Sequence, residues 1–161
     1  MLDTMVDAHK LLADVRTAVY GDTEMVLGLT NIMVELGMKV QIVATGAVNP
    51  AFAEAAKLIA PGSRVIAGAD FSDIAGELSG RDIELMVGPF TGRLTARKEK
   101  IPLLRIGLPN HDRYGASHQL LLGYEGSMHL LDSICNAILD GRELSHSETR
   151  QPEKAFSEYA L

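Results

Sequence analysis

A chain of 161 residues, 47% of them apolar, is long enough for one well-packed domain and short for two. Its formal charge of -6 argues against partners such as nucleic acid or an anionic membrane surface, and no apolar run approaches the roughly 20 residues of a membrane helix. The single cysteine, Cys135, excludes an intrachain disulfide and a cysteine-rich metal site, and the N-terminus does not read as a signal peptide. We therefore expect a cytoplasmic protein.

Apolar periodicity and turn residues divide the chain into alternating helices and strands. Asp22 or Thr23 is expected to begin the second helix, and Gly37 follows its last apolar residue. The predicted helices cover residues 2–14, 22–37, 49–60, 70–80, 91–100 and 127–140. The predicted strands cover residues 16–20, 39–45, 63–68, 83–88 and 101–107.

Strands that are continuously apolar and alternate with helices indicate a parallel sheet covered on both faces. The predicted fold class is α/β, a three-layer Rossmann-like sandwich with a mainly parallel sheet of about five strands. Residues 1–140 are expected to form this domain. Residues 141–161 are polar and predict a C-terminal tail that is disordered or docks on another chain.

Two turns at strand ends are candidates for a ligand crevice, because open parallel sheets bind ligands at the carboxyl ends of their strands. Gly21 and Asp22 follow the first strand, and Gly88 ends the fourth. A helix N-terminus after Gly21 offers backbone N–H groups to an anion. However, the loop has one glycine where a dinucleotide fingerprint needs three, and its acid opposes a phosphate. A capped strand-to-helix turn is the simpler interpretation.

A local basic patch lies in this acidic chain at Arg93, Arg97, Lys98 and Lys100. Cations near the C-terminal end of a helix are favoured by the helix dipole, so a solvated helix face accounts for them. The alternative is a docking surface for an acidic partner or an anionic cofactor.

The segment 107–131 concentrates polar groups and glycines ahead of the last helix. His111 precedes Asp112 and Arg113, which are expected to form an ion pair or an intersubunit contact. Gly123, Tyr124 and Glu125 predict a helix entry in which glycine permits close backbone approach. No serine lies in a nucleophile elbow and no metal-ligand spacing is present, so we assign neither catalytic nor metal residues. This loop is interpreted as an interface or a pocket wall.

The residues of two segments carry a family resemblance. Gly107, Pro109, Asp112-Arg113-Tyr114, the run 123–126 and Asn136 resemble the C-terminal region of nitrogenase component 1-type subunits. The N-terminal stretch, with its helix followed by a Val-Tyr-Gly-Asp strand end at 19–22, is similar to the same family. The resemblance covers roughly residues 1–140. It implies the third of three Rossmann-like domains of a β-type subunit, or of the scaffold subunit that matures the cofactor.

The resemblance also implies what this chain lacks. Cluster-binding cysteines of the family lie mainly in earlier domains, so this chain alone is expected to bind no cofactor. In catalytic α subunits a cofactor-ligating histidine stands just before the Gly-aromatic-acid-Gly run, where this chain has Leu122. The iron–sulfur cluster or iron–molybdenum cofactor precursor, a homologous α-type subunit in a heterotetramer and an ATP-dependent iron protein are then implied for the full assembly.

Two functions follow as expectations. The first is a non-catalytic domain that supports subunit assembly and walls a metal-cluster cavity in nitrogen fixation or cofactor biosynthesis. The second is a free-standing Rossmann-like module that binds a small anionic ligand at the crevice of Gly21 and Gly88.

Overall fold

The structure, a computed structural model, describes residues 2–149, with side chains described at 5–116 and 118–144. Six helices and five strands alternate in these residues. The helices are α1 (Leu2–Leu12), α2 (Thr23–Glu35), α3 (Pro50–Ile59), α4 (Phe71–Leu78), α5 (Arg93–Lys98) and α6 (Gly123–Thr149). The strands are β1 (Arg16–Gly21), β2 (Lys39–Thr45), β3 (Arg64–Ala67), β4 (Leu85–Gly88) and β5 (Leu103–Arg105).

The five strands form one sheet in the order β3-β2-β1-β4-β5, and every paired neighbour is parallel. The central strands are buried along their length, which explains their continuous apolar sequence. The prediction of a Rossmann-like sandwich with about five parallel strands is confirmed. The direction of winding reverses between β1 and β4, so the loops after these two strands meet at the switch point of the sheet.

The first face of the sheet is covered by four helices. Successive strand residues alternate between faces, which sends Val19 and Val87 to this side. Helices α1, α2, α3 and α6 complete the core on this face, where Leu12, Met33 and Ile134 are fully buried. Helix α6 therefore belongs to the core of the domain through its first half.

The second face carries a smaller core under two short helices. Tyr20 and Met86 face this side of the sheet, and Ile74 and Leu78 of α4 pack over them. Helix α5 contributes Ala96. Among the described helices, none is long and apolar enough to span a membrane.

The last helix differs most from its prediction. It begins at Gly123 rather than at residue 127, because the Gly-Tyr-Glu-Gly run forms its first turn. It continues to Thr149, so residues 141–149 of the predicted tail are helical. Gly141 allows this continuation to approach β5, because a Cβ at Gly141 would contact the ring of Pro102. The remainder of the predicted tail, residues 150–161, lies outside the described residues.

Candidate functional site

The loops after β1 and β4 meet at the switch point and fill it. Gly88 and Pro89 are buried, and Gly21 adopts a φ of +144° with Pro89 Cδ 3.4 Å from where its Cβ would be. The Tyr20 hydroxyl donates a buried hydrogen bond of 2.7 Å to the carbonyl of Pro89. Burial raises the pKa of the Tyr20 hydroxyl above its usual value, so it stays a protonated donor.

The surface of this turn is acidic. Asp22 occupies the N-cap position of α2 but makes no side-chain capping bond, and Glu24 lies in the first turn. Two carboxylates at a helix start disfavour an anion, and the adjacent crevice is occupied by Pro89. The contacts of Gly21, Asp22 and Gly88 therefore fit a packed structural turn better than a ligand crevice.

The loop after β5 is fixed by a bidentate ion pair. Arg105 Nε lies 3.0 Å from both Asp112 carboxylate oxygens, and its Nη2 lies 2.9 Å from Oδ2. Of the two alternatives for Asp112 and Arg113, the structure pairs Asp112 with Arg105 and not with Arg113, and the intersubunit contact stays a prediction. Arg113 instead donates to the backbone carbonyl of Asp112 at 2.9 Å, because neighbouring side chains diverge while Arg105 reaches across from the strand.

This ion pair predicts a pH dependence of stability. The hydrogen bonds from Arg105 hold the pKa of Asp112 below its usual value. A carboxyl group whose pKa is lower in the folded protein stabilises the fold at pH values above its unfolded-state pKa of about 3.9. This contribution to the free energy of unfolding is lost as the pH falls through the folded-state pKa. Asp112→Asn should therefore lower the melting temperature at pH 7, and its difference from wild type should shrink towards pH 2. Thermal melts across this range measure it.

A matched control for Asp112→Asn is Glu54→Gln on α3, since Glu54 is exposed and has no ion pair with any described residue. That variant should track the wild-type melting curve at every pH. A constant deficit of Asp112→Asn down to pH 2 would contradict the ion-pair explanation.

Aromatic and cationic side chains join the β4 and β5 loops. The guanidinium carbon of Arg93 lies 4.9 Å from the Phe90 ring centroid, and the His111 ring meets Phe90 edge-on at 5.2 Å. The backbone N–H of Phe90 also donates to the carbonyl of Pro109 at 3.3 Å. The structure thus brings Arg93 and His111 together, although they are far apart in the sequence. Phe90 lies between them.

The start of α6 depends on two glycines with different roles. Gly123 has a φ of +73° in open space, a left-handed conformation that L side chains rarely adopt. Gly126 is buried, and a Cβ there would lie 2.6 Å from the carbonyl carbon of Leu121. Tyr124 and Glu125 between them are exposed, with Glu125 in the first turn where the helix dipole favours an acid.

The loop and the helix start expose an apolar surface. Of the twelve large apolar side chains that are exposed in the described residues, five fall between positions 108 and 124. Tyr114 is fully exposed, Leu122 is 84% exposed and Tyr124 is 65% exposed. We call the set the loop surface; it comprises Leu108, Tyr114, Leu120, Leu122 and Tyr124. Exposed apolar side chains mark contact sites for other proteins when they form one patch, so the loop surface is a candidate for such a site.

The described residues do not fit a metal cluster. Among residues whose side chains are described, no three histidine, cysteine, aspartate or glutamate groups lie close enough to hold a metal ion. Cys135 is half-buried against the core, and burial raises the pKa of its thiol above the usual value. Leu122, which precedes the Gly-Tyr-Glu-Gly run, has no ligating atom.

Sequence reasoning missed Arg105, the residue that organises this loop. Strand alternation was the available signal, because it places Leu104 and Ile106 in the first core and Arg105 on the opposite face. Gln119 was also missed; its amide donates to the Arg105 carbonyl at 3.2 Å.

These features define the class of the molecule: an α/β domain of Rossmann-like type with an all-parallel sheet, whose loops after β1 and β4 pack on each other. The family model for nitrogenase component 1 type oxidoreductase matches residues 1–139. The chain belongs to this family.

Related sequences and a solved structure agree with this family assignment. The chain is 35% identical over 145 residues to the nitrogenase molybdenum-iron protein beta chain of Methanococcus maripaludis, covering 87% of this chain and 31% of the relative. It is 32% identical to the corresponding Clostridium pasteurianum chain, covering 92% and 33%. The solved structure described as "Nitrogenase Cp1 at pH 6.5" superposes with a TM-score of 0.84 at 29% identity, covering 99% of this chain and 35% of that one. The chain thus spans about a third of the length of its curated relatives.

Proposed function

We propose that the chain is an assembly domain of a β-type nitrogenase component 1 subunit. In this role it packs through the loop surface on a homologous α-type subunit of a heterotetramer and helps to wall a metal-cluster cavity. The observation that carries the proposal is the apolar exposure of Leu122, which directly precedes α6, and of Tyr124 in the first turn of that helix. Relatives named as beta chains of molybdenum-iron and iron-iron proteins support the β-type assignment.

In this proposal the chemistry of nitrogen fixation or of cofactor biosynthesis belongs to the full assembly and not to this domain alone. The scaffold-type alternative is kept for the second of these, because Gly115-Ala116-Ser117 follows Asp112-Arg113-Tyr114 where further histidines are expected in catalytic β subunits. The iron–sulfur cluster or cofactor precursor is held by residues outside this chain, and an ATP-dependent iron protein delivers the electrons. The anionic-ligand module gains no support from the filled and acidic switch point.

The test is binding to the α-type subunit by sedimentation velocity. The double variant Leu122→Ser/Tyr124→Ala should weaken association at least tenfold, about 1.4 kcal/mol, because buried aromatic and aliphatic anchors dominate interfaces. The melting temperature of the chain alone should stay within about 2 °C of wild type, since exposed substitutions change stability by about 0.5 kcal/mol or less.

The matched control is Val48→Ser/Leu58→Ala, which removes two side chains that are 87% and 84% exposed outside the loop surface. It should leave association unchanged. Equal weakening by both double variants would refute the proposed interface. Iron analysis of the same purified chain tests the second half of the proposal, since stoichiometric iron bound without the partner would refute a cluster held elsewhere.

A further inference from the structure

A groove of about 600 Å³ runs along the outer side of β5, between α5 and the second half of α6. Its lining includes a concentration of positive charge in a chain whose net charge is -6. Five of the 15 lysines and arginines line it, and the one carboxylate in the lining is that of Asp140. Arg105 among the five is already paired with Asp112, which leaves an excess of positive charge at the groove. The five cations are Arg93, Arg97, Lys100, Arg105 and Arg113. The groove is therefore complementary to an acidic ligand.

The groove also has apolar walls, which a compact anion would not use. Half-buried Leu103 of β5 lines one wall beside the buried Ile101, and Leu144 of α6 is 68% exposed on the other wall. The cations come from α5, the following turn, β5 and the 107–122 loop, so they are spread over four segments. Spread charges around apolar walls suit a polypeptide with both acidic and apolar side chains.

Main-chain pairing with β5 is obstructed, although β5 is an edge strand. Its Leu103 carbonyl accepts a hydrogen bond from Arg105 Nη1 at 3.4 Å, and its Arg105 carbonyl accepts one from Gln119 at 3.2 Å. A ligand that cannot extend the sheet must satisfy its own backbone, as a helix does.

We propose that this groove binds an acidic amphipathic helix of a partner protein. Leucine-type side chains of that helix pack on Leu103 and Leu144, and its carboxylates face the guanidinium groups of the rim. The site does not use Leu122 or Tyr124, so its failure and the failure of the proposed subunit interface are distinguishable.

The probe is a fluorescein-labelled helical peptide of about four turns, with leucines on one face and glutamates elsewhere. A control peptide has the same composition, but its leucines are scattered around the helix. Fluorescence anisotropy on the full chain should show saturable binding of the amphipathic peptide, at least fivefold tighter than the scattered one. Unlabelled inorganic triphosphate should compete only weakly.

The groove variant is Arg97→Gln/Arg113→Gln, which removes two exposed rim charges. It should weaken peptide binding about fivefold, because each exposed charge contributes on the order of 0.5 kcal/mol. The control Lys98→Gln removes a cation of the same helix that does not line the groove, and it should change affinity less than twofold.

Three results would overturn the proposal. One is the absence of saturable binding of the amphipathic peptide up to about 1 mM. Another is any sign that the groove is a general polyanion site. This would be seen either as equal affinity for both peptides, or as displacement of the labelled peptide by triphosphate at the same concentration as unlabelled peptide. The third is equal weakening by Lys98→Gln, which would assign the effect to overall charge.

Discussion

Gly88→Ala is expected to destabilise the domain by about 3 kcal/mol, because the new methyl group has no space. A Cβ at Gly88 would overlap the backbone carbonyl oxygen of Tyr20 and lie 2.7 Å from its Cζ. Since one obstacle is the backbone of the neighbouring central strand, a side-chain rotation cannot relieve the overlap. The melting temperature should fall by about 6–12 °C in a thermal melt followed by circular dichroism.

The matched control for Gly88→Ala is Gly28→Ala in the exposed middle of α2, where no atom lies within 4 Å of the added Cβ. Alanine there should stabilise the protein by about 0.5–1 kcal/mol, because glycine costs that much in a helix interior. Opposite signs for the same chemical change would show that Gly88 is kept for packing at the switch point. A Gly88→Ala melting temperature equal to wild type would show that the ends of β1 and β4 can move apart to admit the methyl group, which would contradict the close packing at the switch point.

The layer architecture could be predicted because it depends on periodicity, which is local. Residues 39–45 are predicted as a strand and form one with those bounds. The strand predicted at 101–107 is shorter, from Leu103 to Arg105, because pairing with the short β4 limits its length. Pairing partners cannot be read from one segment. The predicted start of α6 is four residues late for a related reason. Gly123 and Gly126 are usually helix breakers, and the contact that explains Gly126, with Leu121, is visible only in the fold.

The site could be predicted in position but not in its contacts. The interpretation of the 107–131 segment as an interface or pocket wall named Asp112 and Arg113, yet the ion pair joins Asp112 to Arg105, seven positions earlier. Sequence alone favours Arg113 as the partner of Asp112, because it gives only the separation of residues along the chain and not their distance in space. The basic patch shows the same limit. Arg97 and Lys98 are adjacent in sequence, but only Arg97 lines the groove, because successive helix residues point about 100° apart.

Gly126→Ala is expected to destabilise the protein by about 2–3 kcal/mol and to weaken partner assembly as well. The added methyl would lie 2.6 Å from the carbonyl carbon of Leu121 and 3.1 Å from its nitrogen. These are backbone atoms, so the segment leading into α6 must move, and the adjacent Leu122 of the loop surface moves with it. Thermal melts and sedimentation velocity with the α-type subunit, both run well below the melting temperature of the variant, separate the two losses.

Two further glycines serve as controls for Gly126→Ala. Gly76→Ala in α4 adds the same methyl group with no atom within 4 Å, so it should not destabilise the protein and should leave assembly unchanged. Gly123→Asn should be better tolerated than Gly123→Ala, because asparagine adopts the left-handed conformation of φ +73° more readily than alanine. This pattern would assign the two glycines of the Gly-Tyr-Glu-Gly run to separate causes, backbone conformation at 123 and close packing at 126. If Gly126→Ala lowered stability but left assembly intact, Leu121 could move without displacing the loop surface, and the close packing at Gly126 would have no part in assembly.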